Sequence, residues 1–233
     1  MEQNMKIRAF IFDLDNTLYD YDAAHECAMT ALLERYCGAF GLSEAEFRTL
    51  YAKTMDQQVV RAGGECAAIH SRLIRFQMML EALGRSVTLA PEMDRTYWGA
   101  FLASMSPDPE PGRILDALRA AGYRVGVGTN MTAERQYDKL KKLELLDRLD
   151  FLVSSEEANS EKPDRRIFDL CAEKAGCPAG GCAFVGDSWK HDVLGAQNAG
   201  MHPIWLTAKP APPDMPENVL RISSLEELLH ISS

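Results

Sequence analysis

Two aspartates separated by one residue, Asp13 and Asp15, close the apolar run Phe10-Ile11-Phe12 and are followed by Asn16-Thr17-Leu18. The period-two alternation of an extended chain points side chains at i and i+2 to the same side, which predicts that the two carboxylates share one site. Like charges a few ångströms apart repel by about 4 kcal/mol at an intermediate dielectric, so such a pair calls for a cation or a shared proton. Magnesium suits the pair, because Mg2+ prefers oxygen and keeps its waters beside one or two carboxylates. Taken alone, an aspartate pair of this spacing is more commonly a pair of solvated turn residues at a strand end.

Three further strand ends carry polar groups. Val125-Gly126-Val127-Gly128 runs into Thr129-Asn130, a hydroxyl and an amide able to hydrogen-bond phosphate oxygens; Thr132 is also placed to cap the helix that follows. Lys162 precedes Pro163, and a proline at the first position of a helix over residues 165–175 fixes where the lysine sits. A cation there neutralises phosphate and keeps a nearby carboxylate ionised. Cys182-Ala183-Phe184-Val185 is followed by Gly186-Asp187-Ser188-Trp189-Lys190-His191-Asp192. Gly186 permits a tight turn, Asp187 is placed as a hard-metal ligand, and Asp192 is placed to orient a metal-bound water or Lys162.

Each of these features has an ordinary structural explanation by itself. Four strand ends in succession that each supply a group needed for phosphoryl transfer from an anionic ester are much harder to attribute to coincidence. In this order, Asp13-x-Asp15-x-Thr17, Thr129, Lys162 and Gly186-Asp187-x4-Asp192 resemble the four motifs of the haloacid dehalogenase-like (HAD) superfamily, and the resemblance spans essentially the whole chain.

The resemblance implies that Asp13 is the nucleophile, with Mg2+ held by Asp13, the backbone carbonyl of Asp15, and Asp187. It implies that Asp15 protonates the departing ester oxygen and then activates water against a phosphoaspartate. Thr129, Asn130 and Lys162 would bind the phosphoryl oxygens, with Asp192 beyond the direct ligands or joined to the metal through water. Haloacid dehalogenases and phosphonate hydrolases lack the second carboxylate that stands here at Asp15, which leaves phosphatase and phosphomutase. The stretch Ser154-Ser155-Glu156-Glu157-Ala158-Asn159-Ser160-Glu161-Lys162-Pro163 is similar to the branch of pyrimidine 5′-nucleotidases and N-acylneuraminate-9-phosphatases, although Glu157-Ala158-Asn159-Ser160 departs from the Gly-rich or valine-containing turn common there. The expected substrate is a small phosphomonoester, a nucleoside 5′-monophosphate or a sugar phosphate. A phosphomutase resembling β-phosphoglucomutase and a noncatalytic regulator that kept the fold are the alternatives.

The elements that must position these groups are legible as β-α alternation. Apolar strands are expected over residues 9–14, 123–128, 149–154, 182–185 and 203–206, and helices over 114–121, 133–145, 165–175 and 193–199. This is the pattern of an α/β, doubly wound parallel sheet of Rossmann-like type covered on both faces. Between the first two strands the rhythm breaks into four helical segments, 22–40, 43–62, 66–83 and 90–105, punctuated by Gly41, Gly63-Gly64 and Gly84. Residues 1–18 and 108–233 are therefore expected to form a catalytic core, and 19–107 an inserted helical cap. Cap residues Tyr21, His25, His70, Arg72 and Arg75, with Tyr19 at its edge, are candidates for substrate choice, while Arg72 and Arg75 also read as solvated helix charges.

A hydrophobic content of 46% over 233 residues supports an ordinary buried core, and a formal charge of −9 repels polymeric nucleic acid and anionic membrane. Apolar runs are too short to span a bilayer, and the first residues lack a signal-peptide pattern, which predicts a cytoplasmic protein, monomer or homodimer. Six cysteines without a C-x-x-C pair are expected to be reduced thiols; Cys171, Cys177, Cys182 and His191 fit no common zinc spacing.

Overall fold

The computed structural model describes residues 6–212 and 215–231. Two compact units divide the chain, one comprising Met1–Asp20 with Pro107–Ser233 and the other Tyr21–Ser106. The first holds a parallel six-stranded sheet of order β3-β2-β1-β4-β5-β6. Its strands are β1 (Ala9–Phe12), β2 (Arg124–Thr129), β3 (Phe151–Ser154), β4 (Cys182–Gly186), β5 (His202–Leu206) and β6 (Leu220–Ile222). Every residue of β1 and β4 is buried, as expected of central strands covered on both faces.

The second unit contains, among the described residues, the α-helices α1 (Tyr21–Phe40), α2 (Glu44–Ala62), α3 (Arg72–Ala82) and α4 (Ala90–Ser104). Local chemistry sets their ends: Ser43 and Glu46 form a capping box at the start of α2, and Gly63 closes it at φ 74°. The segment expected as one helix over 66–83 is instead a short 3-10 turn, Ala67–His70, and then α3, because the Ser71 hydroxyl caps the new helix at the Ile74 N–H. Arg72 and Arg75 are not solvated; they are 5% and 2% exposed. Arg72 donates to the His70 carbonyl at 3.1 Å and to the Tyr21 hydroxyl at 2.8 Å, and its guanidinium lies 5.2 Å from the centre of the Tyr97 ring. Arg75 donates to the Tyr51 hydroxyl at 2.9 Å and to the Ile69 carbonyl at 2.8 Å. Both guanidiniums thereby tie the 3-10 turn to the bundle. His25, hydrogen-bonded to Tyr97 at 2.7 Å, is pushed down to about 4 by burial and by Arg72, so it is neutral at physiological pH.

The remaining helices of the first unit are α5 (Pro109–Ala120), α6 (Ala133–Lys142), α7 (Ser155–Ala158), α8 (Arg165–Ala175), α9 (Leu194–Ala199) and α10 (Leu228–Ile231). Helix α8 packs on β2 and β3, with Ile167, Phe168 and Cys171 meeting Ile11, Val153 and Phe184 in one core cluster. Pro163 is not the first residue of α8 as the sequence suggested. Asp164 is the N-cap, its carboxylate accepting from the Arg166 N–H, and Pro163 precedes it after a cis peptide bond. Helix α9 is preceded by a π-type turn, Trp189–Val193, and β6 is an additional short strand at the sheet edge. Among the described residues no helix is long and apolar enough to cross a membrane.

Candidate active site

Strand order reverses around β1, which lies between β2 and β4, and the crevice beyond the carboxyl ends of strands at such a switch is where open α/β sheets bind ligands. Asp13 follows β1 directly and its N–H donates to the Val185 carbonyl of β4 at 2.8 Å, which fixes it beside the end of that strand. Regular strand geometry stops at Phe12, and the chain turns through Asn16 at φ 58°. Both aspartates therefore leave β1 outside regular strand geometry, and Asp15 remains near enough to Asp13 to add to the rise of its carboxyl. The Asp13 carboxylate groups with Asp187 and Asp192, each offering an oxygen within 4.8 Å of the others. The Asp15 carboxylate has its own partners, Lys139 at 2.8 and 2.9 Å and the Tyr19 hydroxyl at 2.6 Å.

Lys162 sits at the centre of the acidic group. Its ammonium, 2% exposed, lies 2.7 Å from Asp13 and 2.7 Å from Asp192. Burial opposes its charge, but the two carboxylates outweigh it and hold the lysine protonated well above its ordinary range. Burial is also the largest influence on Asp13, raising it to about 7 against the pull of Lys162, with Asp192 and Asp15 adding to the rise. Asp187 is raised to about 6 by burial and then by Asp192. One ammonium thus leaves three carboxylates undercompensated. Three hard oxygen donors at this separation are a donor set that a divalent cation of the magnesium kind fits.

The end of β4 is built around Gly186. A Cβ at this position would overlap the Asp192 carboxylate, which accepts from the Ser188 N–H at 2.9 Å. Gly186→Ala is therefore expected to displace Asp192 from Lys162, lowering activity about 100-fold and stability by about 1–3 kcal/mol. Turnover assays with thermal melts check this, and unaltered values for both would remove the requirement for glycine.

At the end of β2, Thr129 is 1% exposed, and its hydroxyl oxygen accepts from Gln136 Nε2 at 2.7 Å. The Asn130 amide is committed to the Lys162 loop: its oxygen accepts from the Lys162 N–H at 2.8 Å and its nitrogen donates to the Lys162 carbonyl at 3.4 Å. Its side chain thus places Lys162. Met131 follows with φ 127°, a backbone region that side-chain-bearing residues rarely adopt; the Ser155 hydroxyl holds it, accepting from its N–H at 2.9 Å.

Sequence reasoning missed Gln136 and Lys139, both fully buried on α6. A signal was present: residues 136, 139, 140 and 143 fall on one helical face, and Leu140 and Leu143 mark that face as inward.

A six-stranded parallel sheet whose central strands end in these aspartates, with the lysine supplied by the loop before α8, is the architecture of a hydrolase superfamily. The haloacid dehalogenase-like hydrolase model matches residues 10–206, and the chain belongs to that family. Among curated relatives, a ribulose-1,5-bisphosphate 5-phosphatase of Halopiger xanaduensis is 32% identical over 84% of this chain and 83% of its own. The pyrimidine 5′-nucleotidase YjjG of Escherichia coli is 29% identical over 96% and 97% of the two chains. A crystal structure of a 2-haloacid dehalogenase from Pseudomonas syringae superposes with a TM-score of 0.77 at 25% identity, covering 97% of each chain. Within the family the chain is a phosphoric monoester hydrolase.

Proposed function

We propose that this protein is a Mg2+-dependent phosphatase of small phosphomonoesters, nucleoside 5′-monophosphates or sugar phosphates, which works through a phosphoaspartate at Asp13. The observation that carries the proposal is the convergence of Asp13, Asp187, Asp192 and Lys162 at the ends of β1 and β4, with Thr129 at the end of β2. The curated relatives, a sugar-bisphosphate phosphatase and a pyrimidine nucleotidase, support the substrate class.

Asp13 attacks phosphorus in line with the ester oxygen. Lys162 keeps the attacking carboxylate oriented through its 2.7 Å contact and offers charge to the phosphoryl oxygens. The Thr129 hydroxyl, its oxygen held by Gln136, turns its proton from the Asn130 carbonyl, 3.4 Å away, to one of those oxygens. Asn130 acts by placing Lys162. Asp15 delivers a proton to the leaving oxygen as the phosphorus–oxygen bond breaks, then removes a proton from water as that water displaces Asp13. Asp13, Asp187 and the Asp15 backbone carbonyl are the groups that would hold Mg2+, with Asp192 at its margin, and the bound ion would offset repulsion between carboxylate and phosphate.

The raised Asp13 and Asp187 carboxyls set a pH signature. In metal-free protein the folded state retains protons between pH 4 and 7 that the unfolded chain has released, because Asp13 moves from 3.8 to about 7 and Asp187 from 3.8 to about 6. Stability with EDTA is therefore expected to fall as pH rises through this window. Magnesium must displace those protons, so the gain in Tm on adding it should be greater at pH 7.5 than at pH 5. Thermal melts at both pH values check this, and a larger gain at pH 5 would contradict the assignment.

The functional test is phosphate release from a panel of nucleotides, sugar phosphates and sialic acid 9-phosphate, with magnesium or EDTA. Turnover that requires magnesium and needs no sugar acceptor supports the reading, with the preferred substrate naming the class. Inactivity across the panel, or release only with a sugar acceptor, overturns it.

A further inference from the structure

Lys139 is 0% exposed, whereas Lys141 and Lys142 on the same helix face solvent. Enclosing an ammonium is costly unless it is paired, and the Lys139 nitrogen meets both Asp15 oxygens, at 2.8 and 2.9 Å. It also lies 3.6 Å from the Met131 sulfur and 5.9 Å from the centre of the Tyr19 ring. Asp15 is gripped from a second direction by the Tyr19 hydroxyl at 2.6 Å, yet its side chain stays 24% exposed. One turn earlier on α6, Gln136 holds the Thr129 hydroxyl at 2.7 Å. A single helix face thus controls two groups at the ends of β1 and β2.

We propose that Lys139 is a positioning residue for Asp15, fixing its carboxyl group in the orientation that protonates the ester oxygen, and that this makes the enzyme competent for esters whose leaving group departs only when protonated. The inference rests on the reading of Asp15 as the acid–base group. In ester cleavage the Asp13–phosphorus bond forms, the phosphorus–ester oxygen bond breaks, and the Asp15 proton goes to the leaving oxygen. The other Asp15 oxygen remains an acceptor for Lys139. In hydrolysis of the phosphoenzyme the water oxygen bonds to phosphorus, Asp13 leaves, and Asp15 regains a proton from that water. Lys139 keeps its own protons throughout.

This predicts a dependence on leaving group that loss of packing would not produce. For Lys139→Met, kcat/KM on an alkyl phosphate should fall about 10- to 100-fold, because a displaced acid no longer meets the departing alkoxide. On p-nitrophenyl phosphate, whose phenolate departs without a proton, the loss should stay within about 3-fold. The kcat/KM ratio isolates the ester-cleaving half, so slow phosphoenzyme hydrolysis does not mask the contrast. Asp15→Asn should show the same contrast, and Asp15→Asn with Lys139→Met should be no worse than Asp15→Asn alone. Lys139→Gln carries the same comparison if the methionine variant does not accumulate folded. Equal losses on both esters, or additive losses in the double variant, overturn the role of Lys139 while Asp15→Asn still discriminates. If Asp15→Asn itself fails to discriminate, the acid–base reading of Asp15 falls first.

Discussion

Replacing Asp13 by asparagine is expected to abolish turnover, with kcat reduced on the order of 10^4-fold or more while the protein stays folded. The amide keeps the shape of the carboxylate but is not a nucleophile toward phosphorus, so no phosphoenzyme forms. The same change removes one of three crowded carboxylates and leaves Lys162 paired to Asp192 at 2.7 Å. Asp13 is raised to about 7 chiefly by burial, so its ionised form is a cost to the folded state near neutral pH. Asp13→Asn should therefore hold or raise Tm at pH 7.5 in EDTA, and it should forfeit most of the gain in Tm that magnesium gives the parent. Steady-state assays with melts in both buffers separate these effects. A variant that turns over at more than a few per cent of the parent rate would show that another group is the nucleophile.

Lys162→Met has the second largest effect, and its direction is opposite for stability. The ammonium is the charge that Asp13 and Asp192 share, with side-chain exposures of 2%, 12% and 1% for Lys162, Asp13 and Asp192. Removing one partner of a buried ionic cluster leaves the others uncompensated, at a cost of about 3–5 kcal/mol. The loss should be greatest near neutral pH and should shrink at pH 5, where Asp13, raised to about 7, holds its proton. Magnesium should restore part of the stability, because it brings positive charge to the same carboxylates. Activity should fall about 1,000-fold even so, since the metal does not replace the oriented charge that the proposed mechanism takes from Lys162. Chemical denaturation at pH 5 and 7.5, with and without magnesium, measures the first part, and an equal loss at both pH values would argue against charge as its cause.

The doubly wound sheet was legible because central parallel strands read as unbroken apolar runs. Residues 9–12 and 182–185 contain no charged residue, and each run ends in a motif aspartate, directly or after one glycine. The edge strand β6, Leu220–Ile222, carries only three residues with Arg221 between two apolar ones, too little for a periodic signal. The residues brought to the strand ends were also readable. Their mutual geometry was not, since it depends on turns: the chain leaves strand geometry at Phe12, and the Asp15 carboxylate is claimed by Lys139 from α6. Arg72 and Arg75 looked like surface charges because their tyrosine partners, Tyr21 and Tyr51, come from other helices of the bundle. Lys139 was masked by its neighbours, since the run Lys139-Leu140-Lys141-Lys142 reads as a solvated end of a helix until Leu140 and Leu143 are used to orient it.

The proposed function gives solvent oxygen one destination. If water attacked the carboxylate carbon of an enzyme ester, the solvent oxygen would enter Asp13; if it attacks phosphorus, the solvent oxygen leaves in phosphate and Asp13 returns unchanged. Asp15, anchored by Lys139 and Tyr19, is the base assigned to the second route.

Rapid acid quench of the parent enzyme mixed with magnesium and its preferred phosphomonoester, followed by peptide mass mapping, tests the central claim most directly. The account predicts a hydroxylamine-sensitive phosphoryl adduct on the peptide carrying Asp13, formed and lost at rates compatible with turnover and absent from Asp13→Asn. Turnover with no adduct at any quench time on a substrate limited by phosphoenzyme hydrolysis, or an adduct on another residue that persists in Asp13→Asn, would contradict it.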